Sequence, residues 1–350
     1  MLVVGTDVHK HSHTFVLVDS SGGKLDELTV RADPKGHDKA ICWVRKRVAY
    51  GEVLWAIEDC RHMSARLELD LLDAGERVVR VPPKMMAEHR RTARTHGKSD
   101  PIDALAVARA ALREPNLPIA SHDDGSRELK LLVDRREDLI GERTRMANRL
   151  RWHLHRIGAG DPLADPPAHS LDRAKIRLQL AGWLTDKTGI DARLAREVLA
   201  DIDRITPSID ALEREITTLA KTQAADLLTI TGCGPLTAAK IVGETAGIER
   251  FAHEAQYAMY TGVAPIPVWS GQTAGRVRVN KAGNRQLNAA FYRIALTQLR
   301  VDGPGRDYYR KRLAAGDSKT EAIRALKRRL ARIVYQTLKH PQAAQLPAAA

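Results

Sequence analysis

Five short apolar runs dominate the first 81 residues: Leu2 to Val4, Thr14 to Val18, Leu25 to Val30, Val53 to Ile57 and Arg77 to Val81. Runs of this length, rich in β-branched residues and bounded by polar or Gly/Pro clusters, read as strands. Asp7-Val8-His9-Lys10-His11-Ser12 separates the first two runs, and Ser20-Ser21-Gly22-Gly23 turns the second into the third, so these three form a meander. Asp33-Pro34 then opens a helix to about Val48, with Ile41, Val44 and Val48 on one stripe. A second helix, from about Met63 to Leu72, stops at Ala74-Gly75, and the fifth run ends at Pro82-Pro83.

The order βββαβαβ followed by helices is that of an α/β RNase H-like fold, in which the first strand and a neighbour present acids at one edge of the sheet. Asp7 and Glu58 each close such a run. In Lys98-Ser99-Asp100-Pro101-Ile102-Asp103-Ala104, two further acids sit three apart across a proline at a helix start, so both carboxylates share one face. That spacing also suits plain capping, with Asp100 as N-cap and Asp103 at N3. The company of Asp7 and Glu58 favours a two-metal phosphodiester site. Two Mg²⁺ ions about 3.5–4 Å apart stabilise the attacking and the leaving oxygen together. Mg²⁺ takes oxygen ligands, and four acids in one cleft repel one another without cations.

The net charge is +13, and its placement is uneven. From Ser270 to Arg332 there are sixteen Lys or Arg against four acids, a concentrated field suited to a polyphosphate partner. The segment carrying Lys84, His89, Arg90, Arg91, Arg94, His96 and Lys98 either lines the approach of a phosphate backbone or is a basic linker. His9 and Lys10 either touch phosphate or form an exposed turn pair. Without an apolar window of eighteen residues or a charged-then-apolar leader, the sequence suggests neither a membrane span nor a signal peptide, and a cytoplasmic, nucleoid-associated protein is expected. Cys42, Cys60 and Cys233 lack metal-ligand spacing and read as reduced, mostly buried thiols.

From Leu129 to Ile157 apolar pairs recur every seven residues, predicting a long amphipathic helix whose seam is interrupted by Arg136 and Arg143. Those arginines face either nucleic acid or an acidic partner helix. After a linker at Gly158 to Pro167, the steps of three and four from Ala195 to Leu219 predict a second coiled-coil helix that Pro207 kinks or restarts. The two helices form either a dimerisation arm, the favoured reading, or a hairpin within one chain. Gly232-Cys233-Gly234-Pro235 resembles a helix-hairpin-helix turn, where Gly232 and Gly234 free backbone N–H groups for a phosphate; an ordinary tight turn is the alternative. Phe251 to Tyr260 reads as helical. Ser270 then lies in a Gly-flanked loop followed by Arg276, Arg278, Lys281, Asn284 and Arg285, with no acid up to Leu299. A loop serine is usually a turn former, although cations of this kind can activate a hydroxyl.

Gly5-Thr6-Asp7-Val8-His9-Lys10, Ile57-Glu58, Lys98-Ser99-Asp100-Pro101-Ile102-Asp103-Ala104, the Gly232 turn, Ser270-Gly271 and Lys281-Ala282-Gly283-Asn284-Arg285 stand in an order that resembles the insertion-sequence DEDD transposases, the IS-one-ten family, which also includes the Piv DNA invertase. The resemblance runs from about Val3 to Arg332. It implies a RuvC-like catalytic domain over residues 1–125, a coiled-coil and dimerisation region over 126–222, and a transposase domain over 223–335, leaving 336–350 as a disordered tail. It also implies that Asp7, Glu58, Asp100 and Asp103 bind Mg²⁺ and that Ser270 attacks the phosphodiester. Donor and target DNA, a structured guide RNA, and a homodimer or homotetramer are the partners it implies. Trp269 stands where the family often has a polar or small residue. Two rival readings are a Mg²⁺-dependent junction nuclease using water, and a helix-hairpin-helix binding protein with a degenerate acidic site.

Overall fold

The structure is a computed structural model and describes residues 1–48, 51–58, 63–82, 85–86, 99–114, 116–121, 124–167, 169–273, 277–280 and 283–341. The chain divides into two compact units, Met1–Asp124 with Thr245–Ala350, and Gly125–Glu244.

The first unit contains a five-stranded sheet of β1 (Leu2–Val8), β2 (Ser12–Val18), β3 (Lys24–Arg31), β4 (Val53–Glu58) and β5 (Arg77–Val81), in the order β3-β2-β1-β4-β5. β1, β2 and β3 form the antiparallel meander, and β4 and β5 continue parallel to β1. That order and mixed register make the domain α/β and RNase H-like. β1 and β2 are buried at nearly every position because helices cover both faces, which explains runs that are continuous rather than alternating.

On one face, α1 (Pro34–Arg47) and α2 (Ala65–Asp73) pack over Val4, Val8, Phe15, Trp55, Ile57 and Val78. As the Asp-Pro start predicts, Asp33 caps α1 by accepting from the Gly36 N–H at 2.8 Å. On the other face lies α3 (Asp100–Arg113), an alanine-rich helix buried through Ala104, Val107, Ala108 and Ala111 against Val3, Val16, Ala56 and Val79. Its small side chains allow close approach. A Cβ on Gly5 would meet backbone atoms of Ala104 and Ala108 within 2.5 Å.

The second unit is built on α4 (Asp124–Gly158) and α6 (Ile190–Gln223), joined by α5 (Ala174–Thr185) and followed by α7 (Pro235–Thr245). The apolar seams meet within one chain: Leu129 and Val133 pack with Ile216 and Ala220, and Leu150 and Leu154 with Ala195, Leu199 and Ile202. The helices therefore run as an antiparallel hairpin. Arg136 pairs with Glu213 at 2.6 Å and Arg143 with Asp172 at 3.2 Å, so the interruptions in the seam answer acids of this chain. Pro207 lies inside α6 without restarting it, and the Thr206 hydroxyl donates to the Ile202 carbonyl. α5, where the sequence suggested no element, fills the connection.

The remainder of the first unit holds α8 (Glu254–Tyr260), α9 (Arg285–Arg300), α10 (Pro304–Ala314), α11 (Lys319–Lys339) and a small ribbon of β6 (Pro265–Pro267) and β7 (Val277–Val279). An aromatic cluster of Phe251, Tyr257, Phe291 and Tyr335 holds α8, α9 and α11 together. Among the cysteines, Cys233 is buried, and burial pushes its thiol up to about 12; Cys42 is exposed, and Cys60 lies outside the described residues. No helix among the described residues is long and apolar enough to cross a membrane.

Candidate metal centre

Asp7 stands near the C-terminal end of β1, two residues beyond Gly5 and hence on the same sheet face, the one that α3 covers. Thr6 pairs with Ile57 in the parallel register, so the next rung sets Glu58 beside Asp7 with the same orientation. α3 brings the other two acids. Its N-cap is Ser99, and Asp103 N donates to the Ser99 carbonyl at 3.0 Å. The capping alternative is thereby corrected in its position: Ser99, not Asp100, is the N-cap, and Asp100 opens the helix as its first residue.

The ligand atoms of Asp7, Asp100 and His9 all lie within 4.8 Å of one another. His9 Nε2 is 3.1 Å from Asp7 Oδ2 and 3.5 Å from Asp100 Oδ1. His9 sits on the β1–β2 turn, where its N–H donates to the Ser12 carbonyl at 3.0 Å. Asp7 and Asp103 are buried, whereas the Asp100 side chain is 51% exposed and opens the site to solvent. Burial pushes the Asp7 carboxyl above its ordinary range, and the neighbouring charges of Asp103 and Asp100 push the same way while His9 opposes them. Crowded, partly desolvated carboxylates are costly unless a cation joins them. The spacings also fit one: neighbouring ligands on an octahedral ion with bonds of 2.0–2.1 Å lie about 3 Å apart. Glu58 is half-buried on the adjoining strand and lies outside the three-residue group. His9 is the member of that group absent from the expected acids; the signal was its place two residues after Asp7, on the turn that follows β1.

The basic residues fare differently. Lys84, Arg90, Arg91, Arg94, Lys98, Arg276 and Lys281, with His89 and His96, lie outside the described residues. Arg278 is exposed on β7, and Arg285 is exposed at the start of α9. Asn284 is the N-cap of α9, its side chain accepting from Gln286 N and Leu287 N. Gly283 is required by contact, because a Cβ there would lie 2.2 Å from Gly262 backbone. Gly232 adopts a left-handed φ of +87°, and the Gly234 carbonyl accepts from Thr237 N and Ala238 N at the start of α7. A short 3₁₀ turn, Ala225–Thr229, precedes that turn in place of a full α-helix. Ser270 is exposed beside Trp269, between β6 and the short turn Gly271–Thr273. On the C-terminal helices, Arg328 and Arg332 both pair with Glu254, Arg312 pairs with Asp317, and Arg329 lies over Tyr308. Part of the basic excess is thus tied to this chain's own side chains.

An RNase H-like sheet with carboxylates gathered at the C-terminal end of its central strand defines a class of nucleic-acid-processing domains, and comparison with known sequences narrows it. A DEDD transposase model of the IS110 kind matches residues 4–158, and a model described as transposase of the IS116/IS110/IS902 family matches residues 224–310. The chain belongs to the IS110 family of insertion-element transposases. The 44.8 kDa protein of insertion element IS116 from Streptomyces clavuligerus is 28% identical, the match covering 96% of this chain and 94% of that protein. The 42 kDa protein of IS900 from Mycobacterium paratuberculosis is 26% identical, over 96% of this chain and 95% of that one. Among solved structures, T. thermophilus RuvC in complex with a Holliday junction substrate aligns with 14% identity and a TM-score of 0.26, covering 33% of this chain and 94% of that one. At that score the likeness adds nothing to the fold assignment, which rests on strand order and register. As a transposase the chain is an enzyme that acts on DNA, and the DEDD acids of its family imply a divalent metal.

Proposed function

We propose that this transposase recombines DNA through a composite site in which Asp7, Glu58, Asp100 and Asp103 hold Mg²⁺ and Ser270 is the nucleophile. The observation that carries the metal half is the convergence of Asp7 and Asp100, with buried Asp103 acting on Asp7, at one edge of the sheet. A divalent cation bound there supplies positive charge to the phosphate oxygens and offsets the repulsion among the acids. Ser270 Oγ gives up its proton and bonds to phosphorus as the bridging oxygen departs and takes a proton. One strand end is thereby held as a phosphoserine ester and the other leaves as a free hydroxyl. Attack by a hydroxyl of the exchanging strand reverses the step, conserving the phosphodiester count without free hydrolytic ends.

Support for the serine is its exposure on a Gly-flanked loop followed by exposed Arg278 and Arg285. Asn284 serves the same segment by fixing the start of α9. Lys84, Arg90, Arg91, Arg94, Lys98, Arg276 and Lys281 are proposed to grip phosphate, together with the backbone N–H groups freed by Gly232 and Gly234. Such contacts carry little sequence information, which fits a guide RNA that reads donor and target by pairing while the protein holds backbones. The working form is a homodimer or homotetramer at the nucleoid, in which acids and serine on one scissile phosphate belong to the same or different copies.

The test is a strand-exchange assay on DNA carrying the element's ends, using protein purified with its co-bound nucleic acid, which is then sequenced. Recombinant products together with a structured RNA from the element's non-coding end are expected. Recombination that survives complete removal of RNA would refute the guide, and nicked products with 5′-phosphate ends and no attached protein would favour water as nucleophile.

A further inference from the structure

The ring of His9 is placed where neither a solvated turn residue nor a simple surface cation needs to be. Its Nε2 approaches Asp7 Oδ2 at 3.1 Å and Asp100 Oδ1 at 3.5 Å, bridging a buried strand acid and an exposed helix acid that are far apart in sequence. The two distances match the separation of adjacent donors around one ion, about 3 Å, and all three ligand atoms fall within a 4.8 Å span. The Asp7 position is fixed by β1, that of Asp100 by the first turn of α3, and that of His9 by the turn hydrogen bond to Ser12. The donor set is therefore held by two separate pieces of backbone, the end of β1 with its turn and the first turn of α3.

We infer that His9 is a direct nitrogen ligand of the divalent ion, completing a two-carboxylate, one-imidazole face with Asp7 and Asp100. This rests on the metal half of the proposed function and extends it. Oxygen donors suit Mg²⁺, Ca²⁺ and Mn²⁺, whereas an imidazole adds affinity for first-row transition ions, least for Mn²⁺ and increasingly towards Ni²⁺, and little for Ca²⁺. The site accordingly discriminates in favour of Mn²⁺ over Ca²⁺ more strongly than four carboxylates would. The rival arrangement has His9 as a counter-ion to Asp7 and Asp100 that the metal displaces, in which case its nitrogen never enters the coordination shell.

The test uses the full chain with Mn²⁺ as probe. Pulsed electron paramagnetic resonance of the bound ion should show ¹⁴N coupling in the wild type that disappears in His9→Gln. Calorimetry should show Mn²⁺ affinity reduced about tenfold or more in His9→Gln; because loss of an outer partner alone commonly costs 10–100-fold, the ¹⁴N coupling decides between a ligand and an outer partner. Ca²⁺ affinity should change far less. The His9 side chain is 50% exposed, so the substitution leaves the fold intact, and an unchanged thermal midpoint checks this. Bound Mn²⁺ without ¹⁴N coupling in the wild type, coupling that persists in His9→Gln, or undiminished Mn²⁺ affinity in that variant would each overturn the assignment. Asp7→Asn separates the two levels: it should remove Mn²⁺ binding altogether. A wild type that binds no Mn²⁺ or Mg²⁺ at all would overturn the metal half of the proposed function, and the inference with it.

Discussion

Gly5 and Ala104 are in backbone contact: a Cβ at position 5 would lie 2.1 Å from the Ala104 carbonyl oxygen. Through this contact the first turn of α3 reaches the end of β1, and Asp100 reaches Asp7. A Gly5→Ala substitution cannot be absorbed by a side-chain rotation, because the obstructing atoms are backbone. Overpacking of this kind costs about 1–3 kcal/mol or more. The expected outcome is a lower denaturation midpoint and, in the fraction that folds, weaker divalent-ion binding by calorimetry. Stability and metal affinity both equal to the wild type would show that α3 does not depend on this approach.

His13 and His37 stack within the core at 5.2 Å between ring centroids, and His37 Nδ1 lies 2.5 Å from Asp70 Oδ2. Burial, followed by the neighbouring His37, lowers the His13 pKa from 6.5 to about 4. Between those values the unfolded chain takes up a proton that the folded chain refuses. Stability therefore falls as pH drops from about 6.5 towards 4 and is insensitive to this group above that window, with a total on the order of 3 kcal/mol. Urea titrations at pH 7.5, 6 and 5 should show this slope in the wild type and a shallower one in His13→Gln. Equal slopes would mean that other groups govern acid sensitivity.

In the helical unit, Lys240 and Glu244, each 3% exposed, pair with Glu137 and Lys130. The Lys130–Glu244 pair spans 2.8 Å. Removing Lys240 takes away a buried side chain and leaves Glu137, 31% exposed, without its cation, a loss bounded above by the about 3–5 kcal/mol of breaking a fully buried pair. Lys240→Ala should therefore destabilise the chain far more than Arg193→Ala, which breaks a pair exposed on both sides. The double variant Lys240→Met with Glu137→Met should recover much of the loss. Guanidinium unfolding of the three proteins checks the order, and equal midpoints for Lys240→Ala and Arg193→Ala would contradict it.

The sheet was legible in the sequence because its strands are short apolar runs separated by turn residues, a pattern with no helical equivalent. Glu58 and Asp7 could be paired because parallel register places strand ends together. The ribbon β6–β7 was not legible: Pro265 and Pro267 occupy two of the three positions in β6, which removes the usual strand composition. α5 was missed because its apolar residues do not form one stripe, with Leu178 75% exposed while Leu180 and Leu184 are buried. The roles of Arg136 and Arg143 stayed open because their acidic partners come from remote segments that only packing brings near. His9 is the same case at the candidate metal centre. Its neighbour Asp7 was visible in sequence, but the distance to Asp100 is a property of how α3 docks on β1.

The acids of the front of the chain and Ser270 of the back are proposed to act on one phosphate, and covalent capture tests that directly. The wild type, Asp7→Asn and Ser270→Ala are incubated with Mg²⁺, the co-purified RNA and DNA carrying the element's ends, and protein–DNA adducts are isolated and mapped by mass spectrometry. The expected result is an adduct on Ser270 in the wild type, none in Ser270→Ala, and a loss of at least about a hundredfold in Asp7→Asn, the scale of removing one transition-state contact. An adduct that forms equally well in Asp7→Asn, or that maps to a residue other than Ser270, would contradict the composite site.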